Sequence, residues 1–354
     1  MKIIHISDVH IASPLTARLS PIKAHERSLE IIGTFRRIAE EAKSSGAEAM
    51  MICGDLFDNE SVGLSTLDSV MGIIESAPAV KFLYLPGNHE KNRLISSGVR
   101  IPENLMIFGE DWTYFTIGNV TFAGRERTDK NMFDSLVLKE DGINILVMHG
   151  ELCDHSDEGG RIGLDRLASL PIDYVALGHY HSFSEKRISA RTVAVYSGTP
   201  EGRGFDEAGQ KGFVTVEVGK RTLDYKFTPI AKRTLHVCEV DITGAEREIE
   251  VERKITEKIS GISSKDLLRI LLIGERTTSY KPDVAAIKER FSDGYYFFEV
   301  KDTSRLKISA EEYKNDKSLK GEFIRLVLSK DDLTQEQKDA IIECGLRALA
   351  GETI

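Results

Sequence analysis

The chain has 354 residues, 41% apolar and 29% charged, with a net charge of −9. Its length implies two or three domains, and no apolar stretch approaches the roughly 20 residues that span a bilayer. The acidity counts against tight, autonomous binding of nucleic acid, although bound divalent cations would reverse the local field.

The first apolar run, Ile3-Ile4-His5-Ile6, leads into Asp8-Val9-His10. Those polar groups fall where a signal peptide would carry its apolar core, so none is expected. Ser20 before Pro21 predicts a helix N-cap with proline at the first turn. Leu29, Ile32, Phe35 and Ile38 then recur at helical spacing as far as Gly46. A strand over 49–52 runs into Gly54-Asp55-Leu56-Phe57-Asp58, a helix over 64–75 follows, and a strand over 81–85 runs into Gly87-Asn88-His89-Glu90. This β-α-β-α-β progression demands a largely parallel sheet. Short alternating strands occupy 104–124, with a hairpin signal at Gly118-Asn119. Two further apolar runs end at His149-Gly150 and Gly178-His179-Tyr180-His181. Segments 193–196, 212–218 and 222–227 read as further antiparallel strands, and the first domain should end near Lys232.

A second β-α-β-α-β unit follows, with strands over 235–240, 267–273 and 295–300 and helices over 246–259 and 284–291. Closing helices are expected over 319–328 and 334–350. Asp332 or Thr334 can cap the last, with Gln337 at a capping-box position. The apolar stripes of these two helices are core or a docking face for a partner helix.

Chemistry gathers where the apolar runs stop, at the carboxyl ends of predicted strands. Carboxylate, amide and imidazole ligands at five such ends are too many for one ion. Two cations about 3.5–4 Å apart would acidify a shared water and clamp the attacking and leaving oxygens of a phosphate ester. Asp55 is the best bridging candidate. Asp8 and His10, like His179 and His181, alternate by two and can project the same way from extended chain. Asn88 and His89 should point apart, one toward metal and the other toward substrate as a general acid. Asp58 reads as a helix N-cap, His5 as a hydrogen-bonded buried residue, and His25, His155 and His236 as structural or surface groups. Basic residues near the motifs (Arg125, Arg127, Lys130, Arg161, Lys186, Arg187, Arg191, Arg203) are either solvated surface or substrate contacts.

Taken together, Asp8-x-His10, Gly54-Asp55, Gly87-Asn88-His89-Glu90, His149-Gly150 and Gly178-His179-x-His181 resemble the signature of calcineurin-like metallophosphoesterases. The Ile4–Asp8 opening, Gly54–Asp58, and Ser197-Gly198-Thr199-Pro200-Glu201 with Gly204-Phe205-Asp206-Glu207 resemble, within that superfamily, bacterial DNA repair exonucleases of the SbcD type. The resemblance implies an α/β fold: a calcineurin-like two-sheet β-sandwich flanked by helices over 1–232, a small α/β capping domain over 233–302, and a C-terminal helical segment over 303–354. It implies one metal held by Asp8, His10, Asp55 and His181, and a second by Asp55, Asn88, His149 and His179. A hydroxide bridging the metals would attack phosphorus, with His89 assisting the leaving group. Asp58 stands where archaeal and eukaryotic relatives carry a second active-site histidine. Two divalent ions, Mn²⁺ first and Fe or Zn as alternatives, fit oxygen and nitrogen ligands without thiolate. DNA is the implied substrate and an SbcC-like coiled-coil ATPase the implied partner, with a homodimer possible and no membrane association. The alternative substrate is a small-molecule phosphodiester or a phosphoprotein, because fold does not fix function. Four scattered cysteines without a C-x-x-C pair suggest reduced thiols and a cytoplasmic location.

Overall fold

Strands β1 (Lys2–Ile6), β2 (Ala49–Cys53), β3 (Lys81–Leu85) and β4 (Leu105–Ile107) pair in parallel. Beyond β1 the sheet continues antiparallel through β13 (Gly212–Val218) and β14 (Leu223–Pro229). A second six-stranded sheet holds β6 (Val120–Gly124), β7 (Ile143–His149), β10 (Tyr174–Gly178) and β12 (Val193–Tyr196) in parallel. Its antiparallel edges are β5 (Thr113–Ile117), joined to β6 by the Gly118-Asn119 hairpin, and β11 (Ser184–Arg187). Between β7 and β10 in the chain, β8 (Leu152–Cys153) and β9 (Ile162–Gly163) form a short parallel ladder. This computed structural model describes residues 1–15, 19–58, 62–87, 94, 98–126, 128–155, 161–220, 222–277, 280–307, 311 and 313–349. It divides into two compact units, Met1–Thr234 and Leu235–Ile354. No helix among the described residues is long and apolar enough to cross a membrane.

One expectation is corrected here. Residues 193–196 are antiparallel to β11, as expected, but parallel to β10 on their other side, because the chain first spends β11 as an antiparallel edge. With the sequence Ser-Glu-Lys-Arg and every residue exposed, β11 carries no apolar periodicity to reveal it.

Alternation explains the layering. Ile3, Met51 and Leu83 meet Phe122, Ile145, Val147 and Ala176 in the core between the sheets. Their neighbours Ile4, Met50, Ile52 and Phe82 face helices α1 (Pro21–Ser44) and α2 (Leu64–Glu75). Leu146, Val175 and Leu177 face outward against Ile162 and Leu167, the latter on the short helix α3 (Leu164–Ala168). The central parallel strands β2, β7, β10 and β12 are thus buried on both faces, which is why they read as largely apolar runs.

In the second unit β15 (Leu235–Asp241), β16 (Leu267–Ile273) and β18 (Phe297–Asp302) are parallel, connected through α4 (Glu248–Lys258) and α5 (Val284–Ser292). A two-residue ladder pairs β17 (Glu275–Arg276) with β19 (Arg305–Leu306). The closing helices are α6 (Leu319–Leu328) and α7 (Gln335–Leu349). Thr334 and Gln337 form the capping box of α7: the Thr334 N–H donates to Gln337 Oε1 and the Gln337 N–H to Thr334 Oγ1. Ile324, Val327 and Ile342 are buried between these helices, whereas Leu319, Leu326, Ile341 and Leu349 are exposed.

Helix α1 begins as its sequence requires, with Ser20 Oγ accepting from the Lys23 N–H. Its buried face is less apolar than the spacing implied: Leu29 is exposed, while Arg27 and Glu30 are buried. Arg27 pairs with Glu30, lies 2.9 Å from Glu201 Oε1 and donates to the Gly202 carbonyl at 2.7 Å. Glu201 Oε2 accepts from Thr34 Oγ1 and from the Lys232 N–H, and Arg233 reaches Glu30 at 2.9 Å. This cluster ties α1 to the loop after β12 and to the chain leaving the first unit. Because Glu201→Ala would leave the buried Arg27 and Arg233 to share the one buried carboxylate of Glu30, it should lower stability by about 3–5 kcal/mol. Urea unfolding at neutral pH measures this, and an unchanged midpoint would show that the cluster contributes nothing.

Candidate metal centre

Past the ends of β1 and β2 the two following loops continue side by side. The Asp8 N–H donates to Gly54 O at 3.0 Å, His10 to Asp55 O and Ile11 to Leu56 O at 2.9 Å, and Asp58 back to Ile11 O at 3.1 Å. To make these bonds and still turn their side chains to one point, Asp8, His10 and Asp55 adopt φ of 52°, 50° and 50°. His179 takes 107°. Left-handed backbone at non-glycine residues costs on the order of 1–3 kcal/mol each and gathers at functional sites. The extended-chain expectation for the Asp8/His10 and His179/His181 pairs is therefore wrong. Their convergence comes from strained turns. Glycines make room: a Cβ on Gly54 would strike the His149 ring, and one on Gly87 would strike the Asp55 carboxylate.

Six of the predicted residues meet here. The buried Asp8 carboxylate accepts from the His179 N–H at 3.0 and 3.1 Å. His10 Nε2 lies 3.3 Å from His181 Nε2 and 3.9 Å from Asp55 Oδ2. His149 Nε2 lies 3.3 Å from Asp55 Oδ2, and its Nδ1 is 2.9 Å from the Cys53 carbonyl. A carbonyl can only accept, so Nδ1 carries the proton and Nε2 is left to bind. Two groups of donor atoms each lie within 4.8 Å of one another: Asp8, His10 and His181, and Asp8, Asp55 and His149. The His179 ring stands edge-on to His149, centroids 5.6 Å apart, and belongs to neither group. Asn88 and His89 lie outside the described residues.

The electrostatics suit a cation. Burial pushes the Asp8 carboxyl up from its ordinary value, against the pull of His149. Burial, joined by the Arg203 charge, holds His10 down to about 4. Burial also opposes protonation of His149, but its hydrogen bond to Asp55 and the nearby Asp8 charge outweigh it and raise the group to about 9. Two buried carboxylates facing imidazole nitrogens, without a thiolate, form a donor set that fits a borderline divalent ion.

Sequence reasoning read Asp58 as a helix cap, although the resemblance put it at an active-site position, and gave Glu207 no role. Asp58 caps no helix among the described residues, since α2 starts after Gly63; it stands 3.1 Å from His10 Nδ1. Glu207 Oε1 lies 2.7 Å from His181 Nδ1, and burial against it is outweighed by bonds from His181 and Arg203, which hold its carboxyl down to about 2. The signal was the 197–207 loop motif, read only as a resemblance. Of the basic residues, Arg203 enters the site, whereas Arg125, Arg161, Lys186 and Arg191 pair with Asp129, Glu151, Asp154 and Asp173; Arg127 lies outside the described residues. An open pocket of about 420 Å³, lined by His179, Tyr180, His181, Ser182, Ser184, Asp206 and Glu207, adjoins the cluster.

Two parallel-stranded sheets with ligand-bearing loops at their carboxyl ends define a metal-dependent hydrolase site. Residues 1–183 match the calcineurin-like phosphoesterase family, and the chain belongs to it, a metal-dependent phosphoesterase of a family that uses a dinuclear divalent centre. It is 26% identical to the DNA double-strand break repair protein Mre11 of Methanopyrus kandleri, over 75% of this chain and 65% of that protein. It is 23% identical to the protein of that name from Haloferax volcanii, over 72% and 58%. It is also 23% identical to the uncharacterized metallophosphoesterase YhaO of Bacillus subtilis, over 75% and 69%. The chain thus spans about 60% of the length of the first two relatives.

Beneath the site, His5 Nδ1 meets the Tyr174 hydroxyl at 3.0 Å and its Nε2 the Leu177 carbonyl at 3.2 Å. Burial holds this imidazole down to about 3, against the bond to Leu177 that raises it. The folded state refuses a proton that the unfolded state binds below about pH 6.5. This group alone should therefore take away about 1.4 kcal/mol of stability per pH unit as pH drops from there toward 3. The slope should lessen by that amount in His5→Gln, measured on EDTA-treated protein by denaturant unfolding. Equal slopes in the two proteins would contradict this.

Proposed function

We propose that this phosphoesterase is a DNA repair nuclease of the SbcD type, acting as exonuclease or endonuclease on phosphodiesters with an SbcC-like coiled-coil ATPase. The observation that carries the reading is the convergence of Asp8, His10, Asp55, His149 and His181 in a chain whose likeness to double-strand break repair proteins runs well past the family domain. The division into a nuclease domain over 1–232, a capping domain over 233–302 and a helical segment over 303–354 belongs to the same reading. Leu319, Leu326, Ile341 and Leu349, exposed on α6 and α7, are the apolar groups assigned to the ATPase contact.

The ligand assignment is Asp8, His10, Asp55 and His181 for one ion and Asp55, Asn88, His149 and His179 for the other, with Mn²⁺ as the working metal. When bound, such a pair acidifies water and neutralises the phosphoryl oxygens. The protein's own groups orient and shield. The Cys53 carbonyl holds the His149 tautomer, the His179 N–H anchors Asp8, and His89 is assigned to protonate the leaving oxygen.

The test compares linear duplex DNA, single-stranded DNA and a small aryl phosphodiester as substrates of the Mn²⁺-loaded protein, with and without the ATPase. DNA should be hydrolysed. Asp55→Asn should lose metal and activity together. His89→Asn should keep both ions while turnover falls about 10²–10⁴-fold. Turnover of the small ester alone, even with the ATPase supplied, would refute the nuclease reading and favour a small-molecule substrate.

A further inference from the structure

Arg203 sits between two carboxylates, and each carboxylate faces a different imidazole. Its Nε and Nη2 donate to Glu207 Oε1 at 3.0 and 2.6 Å, and its backbone N–H to Oε2 at 2.7 Å. Its Nη1 donates to Asp58 Oδ1 at 3.1 Å and to Ser13 Oγ at 3.0 Å. Glu207 Oε1 is 2.7 Å from His181 Nδ1, and Asp58 Oδ1 is 3.1 Å from His10 Nδ1. One guanidinium thereby joins the loops that follow β1, β2 and β12.

The chemistry of this chain is directional. Arg203 Nη2 also approaches His181 Nδ1, at 3.3 Å, but a guanidinium only donates, so the ring proton goes to the nearer Glu207. The Glu207 hydrogen bond holds the proton on His181 Nδ1, and the Asp58 carboxylate, 3.1 Å from His10 Nδ1, favours the same tautomer there by its charge without hydrogen-bond geometry. The two Nε2 atoms, 3.3 Å apart, then present lone pairs to one space. A cation relieves that opposition. Lys211 and Glu201 brace the same loop from behind: Lys211 Nζ donates to His181 O at 2.6 Å, while Glu201 is locked onto α1 through Arg27.

We infer that Asp58, Arg203 and Glu207 form a positioning relay that fixes His10 and His181 as Nε2 ligands and so sets the affinity of one metal position, leaving the other untouched. This rests on the ligand assignment proposed above. Outer carboxylates that orient ligating histidines typically carry a 10–100-fold effect on metal affinity.

Manganese is titrated into the metal-stripped full chain, with binding followed by calorimetry and the spin coupling of the pair by electron paramagnetic resonance. His181→Asn should remove one binding step and His149→Asn the other. If either variant keeps both steps, the ligand assignment itself fails. With that assignment holding, Glu207→Gln and Arg203→Met should weaken the His181 step by about 10–100-fold and spare the His149 step. Arg203→Lys, which keeps the charge but not the fork, should recover part of the loss. Both steps unchanged, or both weakened alike, overturns the inference. Should Arg203→Met fail to fold, Glu207→Gln decides by the same criterion, since its amide preserves the size of the carboxylate.

Discussion

Four backbone hydrogen bonds between the loops after β1 and β2 impose the constraint on which the rest of the site depends. They carry the pairing of two parallel strands beyond the end of the sheet, from Asp8 with Gly54 to Ile11 with Leu56 and Asp58. Ordinary extended chain would send alternate side chains to opposite faces. Left-handed turns at Asp8, His10 and Asp55 bring all three to one face instead. Strain of that kind persists only where its surroundings over-determine it. Here the surroundings are two sheets whose inner faces are closed by packed aliphatic side chains.

The opposite wall comes from the second sheet. His149 and His179 end adjacent parallel strands in register, with Gly178 opposite His149. The His179 N–H bonds to Asp8 and the His149 ring bonds to the Cys53 carbonyl, so the sheets are joined through the groups that would hold metal. Rigidity and chemistry are thus the same contacts. Buried ionic groups then fix the remaining wall, the loop from Ser197 to Lys211. Glu201 attaches it to α1, while Arg203 and Glu207 attach it to the centre. Charges buried so deeply hold their places because a solvated alternative would strand their partners.

Much of this was legible in the residues. Ile3–Ile6, 49–52, 81–85, 145–148 and 174–177 announced themselves as strands because burial on both faces leaves them almost wholly apolar, with the hydrogen-bonded His5 as the buried polar exception. The helix from Pro21, the hairpin at Gly118-Asn119 and the capping box at Thr334 follow from local chemistry alone. Strand β11 was not legible, since an exposed Ser-Glu-Lys-Arg edge has no pattern. The parallel sense of 193–196 was hidden for the same reason. Leu29 misled because helical spacing marks a stripe without saying which of two neighbouring stripes faces inward; Arg27 and Glu30 took the buried side through ionic pairing.

By itself the sequence determined the donor chemistry of the centre and its placement at strand ends, because apolar runs and the groups that interrupt them are local facts. Only the tertiary structure decided how those donors meet. The strained turns, the contact of Asp58 with His10 and the bond of Glu207 to His181 all depend on loops from different strand ends being pressed together. Such pairing is set by sheet register and buried charge, and no run of neighbouring residues encodes it.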